Sequence, residues 1–263
     1  MTARTIPRGL ASLLELLELE QPRVVTAAQL AGWAREAGIG WPIDQVARRL
    51  RELGWLLGLS TKGVWEFVPA SRAGAVGSGD PLIELRATLA RDPSTPYAVA
   101  AESAAYLLGL VGRRPDPEVV AVPLLSRPPK ALKDLRIVHW SHALDTVARD
   151  GLPTWAPGTL LAFMAARPSG FRDWPNVPEW LGQAASDLTV TDLSRELAHR
   201  PRSAWARASY LLNRGGQAGT AGRLFAQAPA GTGPYYLGNR GSGGRYIGEF
   251  DVVDGLGLNW GVG

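Results

Sequence analysis

Between Thr26 and Val68 the apolar positions change period twice. Leu30, Trp33, Ala34 and Ala37 recur at helical spacing, and Ile43, Val46, Leu50 and Leu53 form a second, narrower stripe. Trp55 to Leu59 and Val64 to Val68 then form two short apolar runs around Ser60-Thr61-Lys62-Gly63, the pattern of a hairpin. The punctuation agrees. Thr26 stands where a hydroxyl accepts an orphan helix N–H, and Gly38 and Gly54 follow the two helical stripes, where a left-handed residue ends a helix. Pro42 opens the second stripe, where its missing N–H costs nothing. The prediction is helix, turn, helix, two-stranded wing: a winged helix-turn-helix.

Upstream, Leu10 to Leu19 is a strongly apolar helix suited to pack behind the other two, or alternatively to pair two chains. Downstream, residues 69–80 (PASRAGAVGSGD) lose all apolar period and read as a linker. A larger mixed region follows. Its predicted pieces are a helix over Pro81 to Ala90, a short strand from Tyr97, a small-residue helix over Ala101 to Leu110 and a strand over Val119 to Leu125. Next come a turn-rich basic loop over Ser126 to Asp134 and a strand over Leu135 to Trp140. An apolar helix starts at Gly158, after a bend. Further helices follow over Trp174 to Asp187, Thr191 to His199 (capped by Thr191), Ser203 to Arg214 and Gly219 to Ala228. The glycine-rich tail predicts irregular strands tied down by Tyr235, Tyr236, Tyr246 and Trp260. The fold class is therefore α+β: a winged helix-turn-helix over residues 1–70, a linker over 71–80, and a mixed α/β domain over 81–263.

Composition narrows the function. A hydrophobic fraction of 46% over 263 residues supplies a sizeable core, which excludes a disordered chain. With no cysteine there is no disulfide framework and no thiolate ligand or nucleophile. No run reaches the ~20 apolar residues of a membrane span, and the N-terminus lacks the pattern of a signal peptide, so the expected location is the cytoplasm. A net charge of +4 is compatible with nucleic acid without demanding it.

Local placement of charge says more. On the second helix Gln45, Arg48 and Arg51, with Asp44, point away from the apolar stripe, and Arg49 lies on the flank. Gln and Arg make bidentate contacts to base edges in the major groove. Lys62, at the wing tip, is placed to meet a phosphate. The bland alternative is a solvated basic face, and residues 1–70 are nearly balanced in charge, because Glu15, Glu18, Glu20, Glu36, Asp44, Glu52 and Glu66 offset most of the arginines. In the loop after the Val119 strand, Arg127, Lys130 and Lys133 offer contacts to phosphates or to an acidic partner, or are simply solvated.

No catalytic constellation emerges. His139 and His142 form an H-x-x-H pair without an obvious third ligand, although Asp145 is near in sequence. There is no nucleophile elbow and no P-loop. The run Gly238 to Arg245 carries Arg240 and Arg245 but leads into a strand pattern, whereas a phosphate cradle leads into a helix. Glu249 and Asp251 are two apart, as a metal-binding strand edge would have them, with no lysine following at nuclease spacing. The expectation is a non-enzymatic protein with no cofactor and no metal.

Four segments in order resemble the AbiEi-type antitoxins of abortive-infection, type IV toxin–antitoxin systems. They are LRELGWLLGLSTKGVWEFVPA at the wing, PYAVAAESAAYLLGL, VVAVPLLSRPPKALKDLRIVHW, and GLPTWAPGTLLAFMAARPSGFRDW. After Asp187 the resemblance holds in outline only. It implies an autoregulating repressor whose winged helix binds repeats in its own operator. It also implies a second domain that neutralises a nucleotidyltransferase toxin, in the service of phage defence. Carried onto this chain, the DNA contacts fall on Gln45, Arg48, Arg49, Arg51 and Lys62. The other reading is a winged-helix transcriptional regulator with no toxin partner.

Overall fold

The computed structural model describes residues 6–72, 77–239 and 243–260. The chain forms two compact units, one of residues 1–96 and 128–134, the other of residues 97–127 and 135–263.

In the first unit the helices are α1 (Ala11–Glu20), α2 (Ala27–Glu36), α3 (Ile43–Glu52) and α4 (Ile83–Arg91), and the strands are β1 (Val24–Thr26), β2 (Leu56–Gly58) and β3 (Val64–Phe67). The expected order of helix, turn, helix and hairpin is present, together with one strand that the apolar pattern did not show. β1 pairs antiparallel with β3 (Val24 opposite Glu66, Thr26 opposite Val64), and β2 pairs with β3 on its other side. Three residues are too short a run to display a period of two, so the sequence could not announce β1. Thr26 ends that strand and caps α2. Its hydroxyl accepts from Gln29 N–H (3.2 Å), while the Gln29 carboxamide oxygen accepts from Thr26 N–H (2.9 Å), a full capping box. Gly38, at φ +71°, closes α2 by turning the chain back toward Ala34 and Arg35. Leu13, Leu14, Leu17, Val25, Leu30, Val46, Leu50, Trp55 and Phe67 form the core that fixes the three helices to the sheet.

The boundary expected after residue 80 lies at residue 96 instead. Residues 77–80 have linker composition but are tied down. Ser78 N–H donates to the buried Glu66 carboxylate. Asp80 accepts from Leu82 N–H (2.9 Å) and pairs with the buried Arg86 (2.6 Å). α4, with Leu85 and Ala87 inside and Leu82 buried just before it, therefore completes the first unit. So does the turn at Lys130–Leu132, whose Leu132 is buried. Residues 73–76 of the expected linker fall outside the described residues.

The second unit contains β4 (Ala98–Val99), α5 (Ala101–Leu107), β5 (Val119–Val122), β6 (Arg136–His139), β7 (Val147–Arg149) and β8 (Leu152–Thr154). There follow α6 (Pro157–Ala166), α7 (Val177–Ala185), α8 (Val190–Leu197), α9 (Arg202–Arg214) and α10 (Ala218–Ala226), and lastly β9 (Tyr235–Gly238), β10 (Arg245–Ile247) and β11 (Val252–Gly255). One sheet runs β6-β5-β4-β8-β7 and the other β10-β11-β9. The bend expected before Gly158 is in fact the β7–β8 hairpin. α6 is apolar all round and buried along Gly158–Ala165, so it forms the centre of the helical layer rather than one of its faces. Trp140, Trp155 and Phe163 meet there, with ring centroids 5.1 to 6.1 Å apart. α8 is capped by Thr189, whose hydroxyl accepts from Asp192 N–H (3.1 Å), and not by Thr191. In the tail Tyr235 and Trp260 pack on the core as expected, whereas Tyr246 is 58% exposed.

Candidate nucleic-acid interface

α3 forms because Pro42 precedes it in extended conformation, Asp44 stands in its first turn, and Arg49 and Arg51 in its last, each charge complementing the helix dipole. Val46, Ala47 and Leu50 hold it to the core, which leaves Asp44, Gln45, Arg48, Arg49, Arg51 and Glu52 on the surface. Gln45, Arg48, Arg49 and Glu52 recur at helical spacing on one face. Arg48 (3.8 Å) and Arg49 (3.2 Å) both reach the Glu52 carboxylate, one of the acids that offset the arginines of this region. These are exposed pairs, worth about 0–1 kcal/mol each, so both guanidinium groups can exchange partners cheaply. Arg51 departs from the expected arrangement. It lies toward β2, 3.6 Å from where a side chain on Gly58 would begin. A cleft of about 390 Å³ runs between α3 and β2, lined by Arg48, Arg51, Glu52 and Leu56 to Gly58.

Lys62 is exposed on the turn between β2 and β3. Gly63 follows at φ +77°, a conformation that few other residues tolerate. Gln45, Arg48, Arg49 and Lys62 are thus all displayed by the first unit. The basic loop divides: Lys130 and Lys133, both exposed, belong to the first unit, and Arg127, also exposed, to the second.

The remaining chemical candidates come apart. His139 hydrogen-bonds through Nδ1 with the Pro123 carbonyl (3.3 Å), and no group of three His, Cys, Asp or Glu residues suited to a metal ion occurs among the described residues. Glu249 and Asp251 lie in the turn between β10 and β11, not on a strand. Asp251 accepts from Gly233 N–H (2.7 Å) and the Tyr246 hydroxyl (2.9 Å), a structural anchor that also holds the Tyr246 phenol above its ordinary pKa. Arg240 lies outside the described residues.

Sequence reading missed a charged cavity of about 330 Å³ in the second unit, lined by Arg113, Arg114, Glu102, Arg136, Arg172 and Asp173 among others. Arg113 and Arg114 belong to it. Glu102 is buried at the start of α5, where it pairs with Arg136 and accepts from Arg172 N–H. Arg136 also donates to the Gly170 carbonyl (2.8 Å). Desolvation raises the Asp173 carboxyl above its ordinary pKa, and the Glu102 and Glu179 charges push the same way. These residues are scattered over some 70 positions, and only the fold collects them. A second buried acid, Glu196, accepts from Ala143 N–H (3.1 Å), Leu144 N–H (3.0 Å) and the Thr159 hydroxyl (2.5 Å), pinning the loop after β6 to α6 and α8.

The AbiEi antitoxin C-terminal domain family matches residues 97–214, from the first residue of the second unit to the last residue of α9. The chain belongs to the AbiEi-type antitoxin family. The whole chain is also similar to a solved structure, the RV2827C protein from Mycobacterium tuberculosis. The two are 32% identical with a TM-score of 0.78, over 96% of this chain and 93% of that one. No curated protein matches. The likeness spans more of the chain than the antitoxin domain match, which ends at residue 214. An antitoxin role goes with the family. Among the described residues no helix is long and apolar enough to cross a membrane.

Proposed function

We infer that this AbiEi-type protein is a two-part antitoxin. Its first unit binds double-stranded operator DNA as a winged helix-turn-helix and represses its own operon, and its second unit neutralises a cognate toxin, a nucleotidyltransferase. The observation that carries the DNA half is the display, on one compact unit, of Gln45, Arg48 and Arg49 along one face of α3 with Lys62 on the adjoining turn. The antitoxin half is supported by the family match over residues 97–214. The DNA contacts would be Gln45, Arg48, Arg49, Arg51 and Lys62, while Lys130, Lys133 and Arg127 would supply further contacts to phosphates or to the toxin.

Arg48→Ala is expected to weaken binding to a duplex from upstream of its own reading frame by about 1–3 kcal/mol, and more for that duplex than for a scrambled one. Lys62→Ala is expected to weaken both duplexes alike and to lower the salt slope by about one. Anisotropy titrations at several salt concentrations measure both, and two silent substitutions would remove α3 and the turn from the DNA interface. For the antitoxin half, the full chain is expected to restore growth to cells expressing the neighbouring gene. A toxic neighbour that the chain fails to neutralise would favour the second reading, a winged-helix regulator with no toxin partner.

A further inference from the structure

We propose that Glu84 of α4 is a positioning residue for DNA binding, setting the place of the β2–β3 turn so that Lys62 meets a backbone phosphate. The inference rests on the reading of the first unit as a DNA-binding module. The Glu84 carboxylate accepts Ser60 N–H (2.6 Å), Thr61 N–H (3.2 Å) and the Thr61 hydroxyl (3.0 Å). These are the two residues immediately before Lys62, and their amides have no strand partner, because β2 ends at Gly58 and β3 begins at Val64. A carboxylate gripping two successive amides and a hydroxyl is a strong, directional anchor.

The anchor is rigid on its own side. Thr88, one turn along α4, donates its hydroxyl to the Glu84 carbonyl (2.8 Å) and lies 3.5 Å from the Thr61 hydroxyl. Thr61 is buried although its neighbours Ser60 and Lys62 are exposed. On the far side of Lys62, the Gly63 carbonyl accepts Ala27 N–H at the start of α2 (2.9 Å). The closing bond of the turn itself, Val64 N–H to the Thr61 carbonyl, is a long 3.3 Å. The turn therefore takes its position from α2 and α4 more than from its own strands, and Lys62 stands between the two tethers.

Electrostatics gives the proposal a sign. Removing a negative charge beside a DNA-binding surface should strengthen binding if charge is all that matters. Positioning predicts the reverse. The test uses the full chain, a duplex covering the DNA immediately upstream of its own reading frame, and anisotropy at three salt concentrations. Glu84→Gln and Glu84→Ala are expected to weaken binding about fivefold to tenfold and to lower the salt slope by about one, as Lys62→Ala does. Because Glu84 acts through Lys62, the Glu84→Ala, Lys62→Ala double variant should bind no worse than Lys62→Ala alone. Equal or tighter binding by the Glu84 variants, or losses that add, would overturn the proposal while leaving the DNA reading intact. A wild-type chain that binds no duplex would instead sink the DNA reading. In that case hydrogen exchange at the Ser60 and Thr61 amides still decides the hold on the turn: faster exchange in Glu84→Ala upholds it, and unchanged exchange removes it.

Discussion

Glu102→Ala is expected to destabilise the second unit by about 3–5 kcal/mol. The carboxylate is buried and serves two partners, the Arg136 guanidinium and the Arg172 amide. Among the described residues, alanine would leave Arg136, whose side chain is 15% exposed, with only the Gly170 carbonyl for compensation. The cost comes from the stranded cation more than from the lost attraction, since well-packed buried pairs are near neutral overall. Two further variants separate those terms. Glu102→Gln, which keeps shape and an acceptor, should cost about 1–3 kcal/mol. Glu102→Leu combined with Arg136→Met removes both charges and should recover much of the loss. Urea unfolding followed by tryptophan fluorescence measures all three, and a double variant no better than Glu102→Ala would show that the pair itself stabilises the unit.

Trp155→Ala carries a loss of similar size for a different reason. Trp155 is wholly buried against Trp140 and Phe163, and alanine would open a large cavity beside α6, costing about 3–5 kcal/mol. Trp155→Phe should cost much less. It keeps most of the apolar volume and removes an indole N–H that finds no acceptor among the described residues. Thermal unfolding of both variants checks the order. A phenylalanine variant as unstable as the alanine one would mean that ring shape, not filled volume, holds the cluster together.

The sequence disclosed the parts of this molecule that depend on local rules. Thr26, Gly38, Pro42 and Gly54 punctuate α2 and α3 in plain view, and the apolar stripes of those helices face the core as their spacing predicts. The exposed face of α3 was legible for the same reason. What escaped was decided by partners far away in the chain. β1 exists because β3 offers it a ladder, and residues 77–80 look like a linker until Glu66 and Arg86 fasten Ser78 and Asp80. Thr189 rather than Thr191 caps α8 because the cap goes to whichever hydroxyl sits three residues before an available amide, and the sequence offered two. Glu102, Glu196 and Glu84 are ordinary helix glutamates by composition, and nothing in a periodicity marks them as the acids around which loops are organised.

The segment 128–134 has a practical consequence. Because it belongs to the first unit while the residues on either side of it belong to the second, the chain passes between the two units three times. No single cut separates them. A protease acting after Pro96 would nick the protein without dividing it into two complete pieces. A fragment starting at Tyr97 would carry Leu132 away from its burial site and expose an apolar residue that the intact chain hides. Swapping first units between relatives would likewise require moving two stretches of gene together.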